Sequence, residues 1–319
     1  MSKTTFDAQN WSRLGGAKVR LKKIYSKAVR SSKFVFRFEL ERLIRREIAN
    51  VETMTKATSW AKINFIGLRQ LLLTHNCDSN RRATCHIICS GYSALNSTHK
   101  VKIGSDYVIG FGFGGLIDLP FNLYMVEFGT FEKKYAGQSV LYAELIQRFA
   151  AGRIKKIYFK NIWEGKIDPN FLSKTYGPDV CVLKDFLMPE WQMHVSKGFE
   201  SLVARAFFIE RGEYIAQWGS TALTAVNIAF RLGFPRIVLH GFDGVGPHFF
   251  SINDIGAPND WLIRLRQFYP SVPQWQKHIS ASLIWPYMKT IQKELNDHNV
   301  SLLCASNDSP LANILPIYS

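Results

Sequence analysis

Gly219-Ser220-Thr221-Ala222-Leu223-Thr224-Ala225-Val226-Asn227-Ile228-Ala229-Phe230-Arg231-Leu232-Gly233-Phe234-Pro235-Arg236-Ile237-Val238-Leu239-His240-Gly241-Phe242-Asp243-Gly244 is the stretch whose reading decides the fold. A small, hydroxyl-bearing turn at Gly219, Ser220 and Thr221 opens an apolar helix, and Gly233 ends it. Ile237 to Leu239 then reads as a buried strand that stops at a turn with an acid in it, Gly241 to Gly244. Helix, glycine stop, parallel strand and polar turn form the repeating unit of a doubly wound, Rossmann-like α/β domain with a mostly parallel sheet. Such domains bind ligands beyond the carboxyl ends of strands and at helix N-termini. The stretch supplies one of each, so it reads as half of a nucleotide site.

Working outward, strands are predicted at His86 to Cys89, Tyr107 to Gly110, Leu123 to Val126, Ile154 to Phe159, Val180 to Leu183 and Val300 to Cys304. A helix is predicted from Ser139 to Phe149 and another from Ile63 to His75. The expected organisation is a basic helical extension over residues 1–83 and a Rossmann-like domain over residues 84–319. Residues 245–282, rich in Pro, Trp, Phe and Gly, read as a long functional loop or lid within it.

The composition narrows the class. At 319 residues and 47% apolar content the chain can build a real core, and its 13% aromatic content argues against disorder. No apolar run reaches the roughly 18 residues of a spanning helix, and the first residues lack the apolar core of a secretory signal. A cytoplasmic placement follows as the expectation. The five cysteines have no CxxC spacing, which points to reduced thiols and no metal site. Of the net charge of +15, residues 1–60 carry +9, from fourteen Lys or Arg against five acids. Phe36, Leu40, Leu43 and Ile44 fall on one helical face beside arginines 37, 42, 45 and 46, the pattern of an interfacial helix. Residues 18–48 are therefore the expected contact with an anionic membrane surface, peripheral at the inner face; the alternative is a basic helix packed on the body. No zinc-finger spacing, RNP motif or helix-turn-helix signature accompanies the charge, so nucleic acid is not the expected partner.

Glycine turns follow several strands: Ser90-Gly91-Tyr92-Ser93, Gly110 to Gly115 with Gly112 at its centre, and Gly241 to Gly244. Ser90-Gly91-Tyr92-Ser93 is not GxGxxG and no GxxxxGK[ST] occurs, so dinucleotide cofactors and P-loop hydrolysis are disfavoured. No DxD metal clamp occurs either, and nothing in the sequence demands a cofactor.

Gly219 to Gly244 resembles the central motif of glycosyltransferase family 42, the bacterial lipooligosaccharide sialyltransferases. Ser220-Thr221-Ala222, Leu232-Gly233 and His240-Gly241-Phe242-Asp243 stand in register with that family's Thr-Ser-Gly, Leu-Gly and Ser-Gly-Ile-Asp. Asn307 to Ile314 is similar to its Pro-Asn-Ser-Leu-Leu-Ala-Asn-Phe run, and Ile87 to Ser93 to its first strand and turn. The three motifs come in matching order over residues 84–319, and Kdo-transferase-like proteins partly share them. The resemblance implies a nucleotide-sugar donor, a CMP-activated 2-keto sugar acid of the sialic or Kdo type, and a glycan or glycolipid acceptor such as lipopolysaccharide or capsule. It implies donor binding by Gly91, Ser93, Gly112, Ser220, Thr221, Gly241, Phe242, Asp243, Asp308 and Ser309. It implies a histidine base at His278, whose near-neutral pKa suits proton removal from the acceptor hydroxyl.

Two departures stand out. The family's two tyrosines after the Gly-x-Asp turn are absent from Val245 to Phe250, where His248 is the substitute donor or acid. Glu127 or Phe128 takes the place of an asparagine after the third strand, which makes Glu127 a rival catalytic residue. The read of Asp243 alone stays open between a turn-capping acid and a ligand contact. The alternatives to a transferase are a non-catalytic nucleotide-sugar-binding protein and a pterin diphosphokinase-like enzyme of the same fold. A homo-oligomer is left open.

Overall fold

The computed structural model describes residues 33–56, 64–79, 84–127, 144–145, 147–160, 181–188, 199–218, 220–244, 248–249, 262–263 and 287–319. Its frame is an eight-stranded parallel sheet of order β1-β6-β5-β4-β3-β2-β9-β10. The strands are β1 (Asn64–Ile66), β2 (Thr84–Ile88), β3 (Tyr107–Phe111), β4 (Leu123–Glu127), β5 (Ile157–Lys160), β6 (Cys181–Leu183), β9 (Arg236–His240) and β10 (Ser301–Cys304). β7 (Asp185–Leu187) and β8 (Ile215–Gln217) pair in a separate two-stranded parallel sheet. The helices are α1 (Lys33–Thr55), α2 (Leu68–Ser79), α3 (Glu200–Phe208), α4 (Thr221–Arg231) and α5 (Met288–Asp297). Residues 144–145 and 147–150 are helical as well. This is the doubly wound α/β architecture that the helix-glycine-strand unit predicts.

From β2 the chain steps outward through β3, β4, β5 and β6, then returns to lay β9 on the other side of β2. The direction of winding therefore reverses between β2 and β9. In open parallel sheets the crevice beyond the strand ends at such a reversal is where ligands bind. All five residues of β2 are buried, as expected for a strand covered on both faces. Alternation along the strands divides the core: Cys85, Ile87, Ile109, Met125 and Ile237 join one apolar cluster, and Ile88, Val108, Tyr124 and Val126 the other.

α4 belongs to the first cluster, and its residues from Thr221 to Ala229 are all buried. Each fully buried Leu, Ile or Val there contributes about 1.5–3 kcal/mol. Ser220, extended at φ −151°, caps it by accepting the Ala222 N–H at 3.1 Å. Gly233, at φ 86°, ends it.

The expected boundary at residue 84 is crossed by the sheet, because Asn64–Ile66 pairs with Cys181–Leu183 as its edge strand. The single helix predicted from Ile63 is also split into β1 and α2. Gly67 opens α2, with its N–H donated to the Gln70 side chain at 3.1 Å, a capping-box arrangement. Glu213 accepts the next two amides, Leu68 N–H through its carbonyl and Arg69 N–H through its carboxylate, each at 3.0 Å. A three-residue strand has too short a pattern to announce itself, and the residue that caps α2 lies far along the chain.

α1 also departs from the membrane-facing expectation. Phe36, Leu40, Leu43 and Ile44 are at most 2% exposed, and Phe36 packs on Phe199 at 4.7 Å between ring centroids. Arg211 grips Glu41 with both terminal nitrogens, and the Tyr214 hydroxyl donates to Glu52 at 2.9 Å. The face expected to enter a bilayer interface is thus taken by the core, leaving the arginines at 37, 42, 45 and 46 exposed. Residues 18–32 of the expected membrane contact lie outside the described residues. No described helix is long and apolar enough to cross a membrane.

Candidate functional site

Three turns meet where the winding reverses. The turn after β2 carries Ser90, Gly91, Tyr92 and Ser93; the turn after β9 carries Gly241, Phe242 and Asp243. The loop after β10 carries Ser306, Asp308 and Ser309. Gly91 N–H donates to Gly241 O at 2.8 Å, so the first two turns touch through backbone. Only glycine fits this approach: a Cβ at Gly91 would stand 2.5 Å from Gly241 O and collide with Asp243 Oδ2. Gly241 itself has φ 62°, and its Cβ would lie 2.6 Å from that of Ala94.

Asp243 ties all three segments together. It is 1% exposed. Its Oδ2 accepts Ser93 N–H at 2.9 Å and its Oδ1 accepts the Ser93 hydroxyl at 2.6 Å. The Ser309 side chain lies beside it, close enough to favour its charged form. Burial pushes its carboxyl above the usual carboxylate range, opposed by the bonds from Ser93 and by Ser309, while the charge of Asp308 pushes it further up. Of the two sequence readings, the structural tie is the one this geometry displays. The exposed Asp308 closes the same seam from outside: its Oδ2 accepts from Asn96 at 2.8 Å and its carbonyl from Tyr92 OH at 2.9 Å. Ser309 accepts Leu311 N–H at 3.4 Å, capping the short 3-10 helix Pro310–Asn313. Phe242, half-buried, packs against the first apolar cluster.

Gly112 leaves β3 at φ 53°, with the position of its missing Cβ 3.3 Å from Ser90 Oγ. His248 forms an antiparallel bridge with Gly91, and its Nδ1 lies 3.3 Å from Ser90 O. A carbonyl only accepts, so Nδ1 carries the proton, and in neutral His248 Nε2 is the unprotonated nitrogen. That suits a base; donating to a phosphate requires the imidazolium. Its ring meets Phe113 at 5.0 Å. In the expected lid, Phe249 and Leu262 pack into the second apolar cluster.

Ser220 and Thr221 open α4 on the other face of the sheet, at the same carboxyl edge. There Lys160, the last residue of β5 and 4% exposed, donates to Thr221 Oγ1 at 2.9 Å. Glu127 ends β4 in register with Lys160; its side chain lies outside the described residues, as does His278 entirely. The structure thus gathers Gly91, Ser93, Gly112, Gly241, Phe242, Asp243, His248, Asp308 and Ser309 where the winding reverses, while Ser220 and Thr221 meet Lys160 at the carboxyl end of β5. Lys160, Tyr92 and Asn96 are members that sequence reasoning missed. Only Lys160 had a signal, a charge ending the apolar run Ile157-Tyr158-Phe159. Among the described residues no group of three or more His, Cys, Asp or Glu could hold a metal ion.

Solved structures of similar outline include sialyltransferases of Campylobacter jejuni. The monofunctional alpha-2,3-sialyltransferase Cst-I is 16% identical, with a TM-score of 0.44 over 75% of this chain and 81% of that one. The sialyltransferase CstII in complex with cytidine-5'-monophosphate is 13% identical, with a TM-score of 0.43 over 74% and 85%. CST-II in complex with a trisaccharide acceptor and CMP is 12% identical, with a TM-score of 0.42 over 74% and 86%. At this degree of likeness nothing about ligand or chemistry transfers to this chain. No protein-family model matches the sequence, and neither does any curated protein.

Proposed function

We propose that this chain is a glycosyltransferase that moves a sialic-acid-like or Kdo-like sugar from a CMP-activated donor to a bacterial cell-surface glycan. The observation that carries this reading is the closure of three sequence motifs on one carboxylate. Ser93 of the first, Asp243 of the second and Ser309 of the third meet at the winding reversal of the sheet. Motifs spread over more than 200 residues thereby become the walls of one crevice.

In this reading the amides of the turn after β3 and the N-terminus of α4 receive the donor's anionic groups, since the Gly91 and Ser93 amides are already bonded to Gly241 O and Asp243. Asp243 holds the turns rather than the ligand. In transfer, the acceptor hydroxyl forms a C–O bond to the anomeric carbon as the C–O bond to phosphate breaks. CMP leaves with that electron pair, and the hydroxyl proton passes to a base. His248, with Nε2 unprotonated, and His278 are the candidates, with Glu127 as the rival. The test is CMP release from a CMP-linked sugar acid by the wild type and by the His248→Ala, His278→Ala and Glu127→Gln variants. At least one of them should lose about a hundredfold or more in turnover while CMP still binds. The missing tyrosines over Val245 to Phe250 favour one second reading, a nucleotide-sugar binder without turnover. CMP binding with no release by the wild type would select it.

A further inference from the structure

A polar chain runs through the apolar layer directly beneath the crevice. His86, inside β2, and His240, the last residue of β9, are both fully buried. His86 Nδ1 lies 2.8 Å from His240 Nε2. At one end of the pair, Asp106 Oδ2 is 3.1 Å from His86 Nε2; at the other, Ser97 Oγ is 2.9 Å from His240 Nδ1. The carboxylate, which also accepts Lys102 N–H at 2.8 Å, fixes the direction of the whole chain. His86 must donate from Nε2 and accept at Nδ1. His240 then donates from Nε2 and accepts the Ser97 hydroxyl at Nδ1. Every ring nitrogen is satisfied with both imidazoles neutral.

The chain ends where the candidate site begins. Ser97 belongs to the short 3-10 helix Leu95–Lys100, which follows Ser93, and His240 immediately precedes Gly241. The Ser97–His240 bond therefore fastens that helix to the end of β9, just behind the close approach of Ala94 and Gly241 and the Ser93–Asp243 pair. A proton added at His240 Nδ1 turns the Ser97 hydroxyl away, toward Ala94 O at 3.1 Å or Ser93 O at 3.3 Å. The resulting cation would sit in an apolar layer. Lys100 and His99 face it from the 3-10 helix, and Arg236 faces His86 from the start of β9. The Tyr318 ring packs edge-on against His86, and Asp106 is the carboxylate at the far end. Burial above all, then His86, Lys100 and His99, hold His240 well below the ordinary histidine pKa. Burial lowers His86 too, against the pull of Asp106.

We propose that Ser97, His240, His86 and Asp106 are positioning residues that hold the nucleotide-binding turns in place only while both imidazoles are neutral. Acid then loosens nucleotide binding at a crevice the four do not line. This rests on the CMP-donor reading above.

The experiment is calorimetric titration with CMP from pH 8 down to the lowest pH at which the chain stays folded, comparing wild type with His240→Gln and, should that variant fail to fold, with Ser97→Ala. The ratio of the two dissociation constants cancels the titration of CMP itself. The wild type should bind about fivefold or more tighter at pH 7.5, one neutral hydrogen bond's worth. That advantage should hold through pH 6.5, where burial keeps both imidazoles neutral, and shrink toward unity only in stronger acid. A ratio of one throughout, or an advantage unchanged by pH, overturns the proposal. If the wild type binds no CMP at any pH, the donor reading fails and the chain is judged by urea unfolding instead. A stability margin of wild type over Ser97→Ala that shrinks in acid supports the positioning role, and a constant margin overturns it.

Discussion

Gly91→Ala is the sharpest single perturbation of the crevice. Gly91 has no left-handed φ, so the substitution adds no backbone strain and acts through space alone. The new methyl would stand 2.5 Å from Gly241 O and nearer still to Asp243 Oδ2. Neither neighbour is a flexible chain end. Gly241 O is fixed by the Gly91 amide at 2.8 Å, and the carboxylate is held by two bonds from Ser93. Relief therefore requires the two turns to separate. Forced overpacking costs about 1–3 kcal/mol and the lost amide bond about another 1 kcal/mol, so a destabilisation of about 2–4 kcal/mol is expected. Urea unfolding measures it, and Gly152→Ala is the comparison that acts through backbone alone, since φ there is 72° and nothing stands within 4 Å of a Cβ. The same variant should lose CMP binding, because the strand-end turns move apart. Wild-type stability together with wild-type CMP affinity would refute the close packing of the two turns.

Other consequences follow from the same contacts. Leu40→Ala or Ile44→Ala should each cost about 2–5 kcal/mol, because α1 is core; loss of vesicle binding at unchanged stability would show a membrane face instead. Ser220→Ala should cost about 1 kcal/mol through loss of the α4 cap, read by urea unfolding. Below the ordinary histidine value of about 6.5, the unfolded chain takes up protons that buried His240 and His86 refuse, so stability is present above that pH and falls with acid. Each refused proton is worth about 1.4 kcal/mol per pH unit, and His240→Gln should flatten the acid limb. Asp243 runs the other way: its raised carboxyl contributes stability at low pH that is lost as the pH rises through its folded value.

The central half of the fold was legible because its signals are local. The β2, β3, β4 and β9 strands are apolar runs ended by glycine or polar turns, and α4 carries its own cap and stop between Ser220 and Gly233. β1, β7 and β8 were not legible. At three residues each they have no period to detect, and β1 is defined by pairing with Cys181–Leu183 more than a hundred residues away. α1 misled in an instructive way. Its apolar stripe and basic flank fit a bilayer interface as well as a core, and only Phe199, Glu41–Arg211 and Glu52–Tyr214 choose between them. At the site, residue types picked out turns that meet at the winding reversal, but not what the side chains do there. Asp243 reads equally as ligand contact or tie until Ser93 and Ser309 are seen to occupy it. Likewise His86, Asp106 and Ser97 carry no signature until the sheet register sets β2 beside β9.

The central claim, that the crevice at the winding reversal accepts a cytidine nucleotide, is tested most directly by titrating the intact chain with CMP, with AMP and UMP as comparators. Saturable binding selective for CMP is expected, with a stabilisation of about 2.7 kcal/mol in urea unfolding at a hundredfold excess over the dissociation constant. No heat and no stabilisation with millimolar CMP, or equal responses to all three nucleotides, would contradict it.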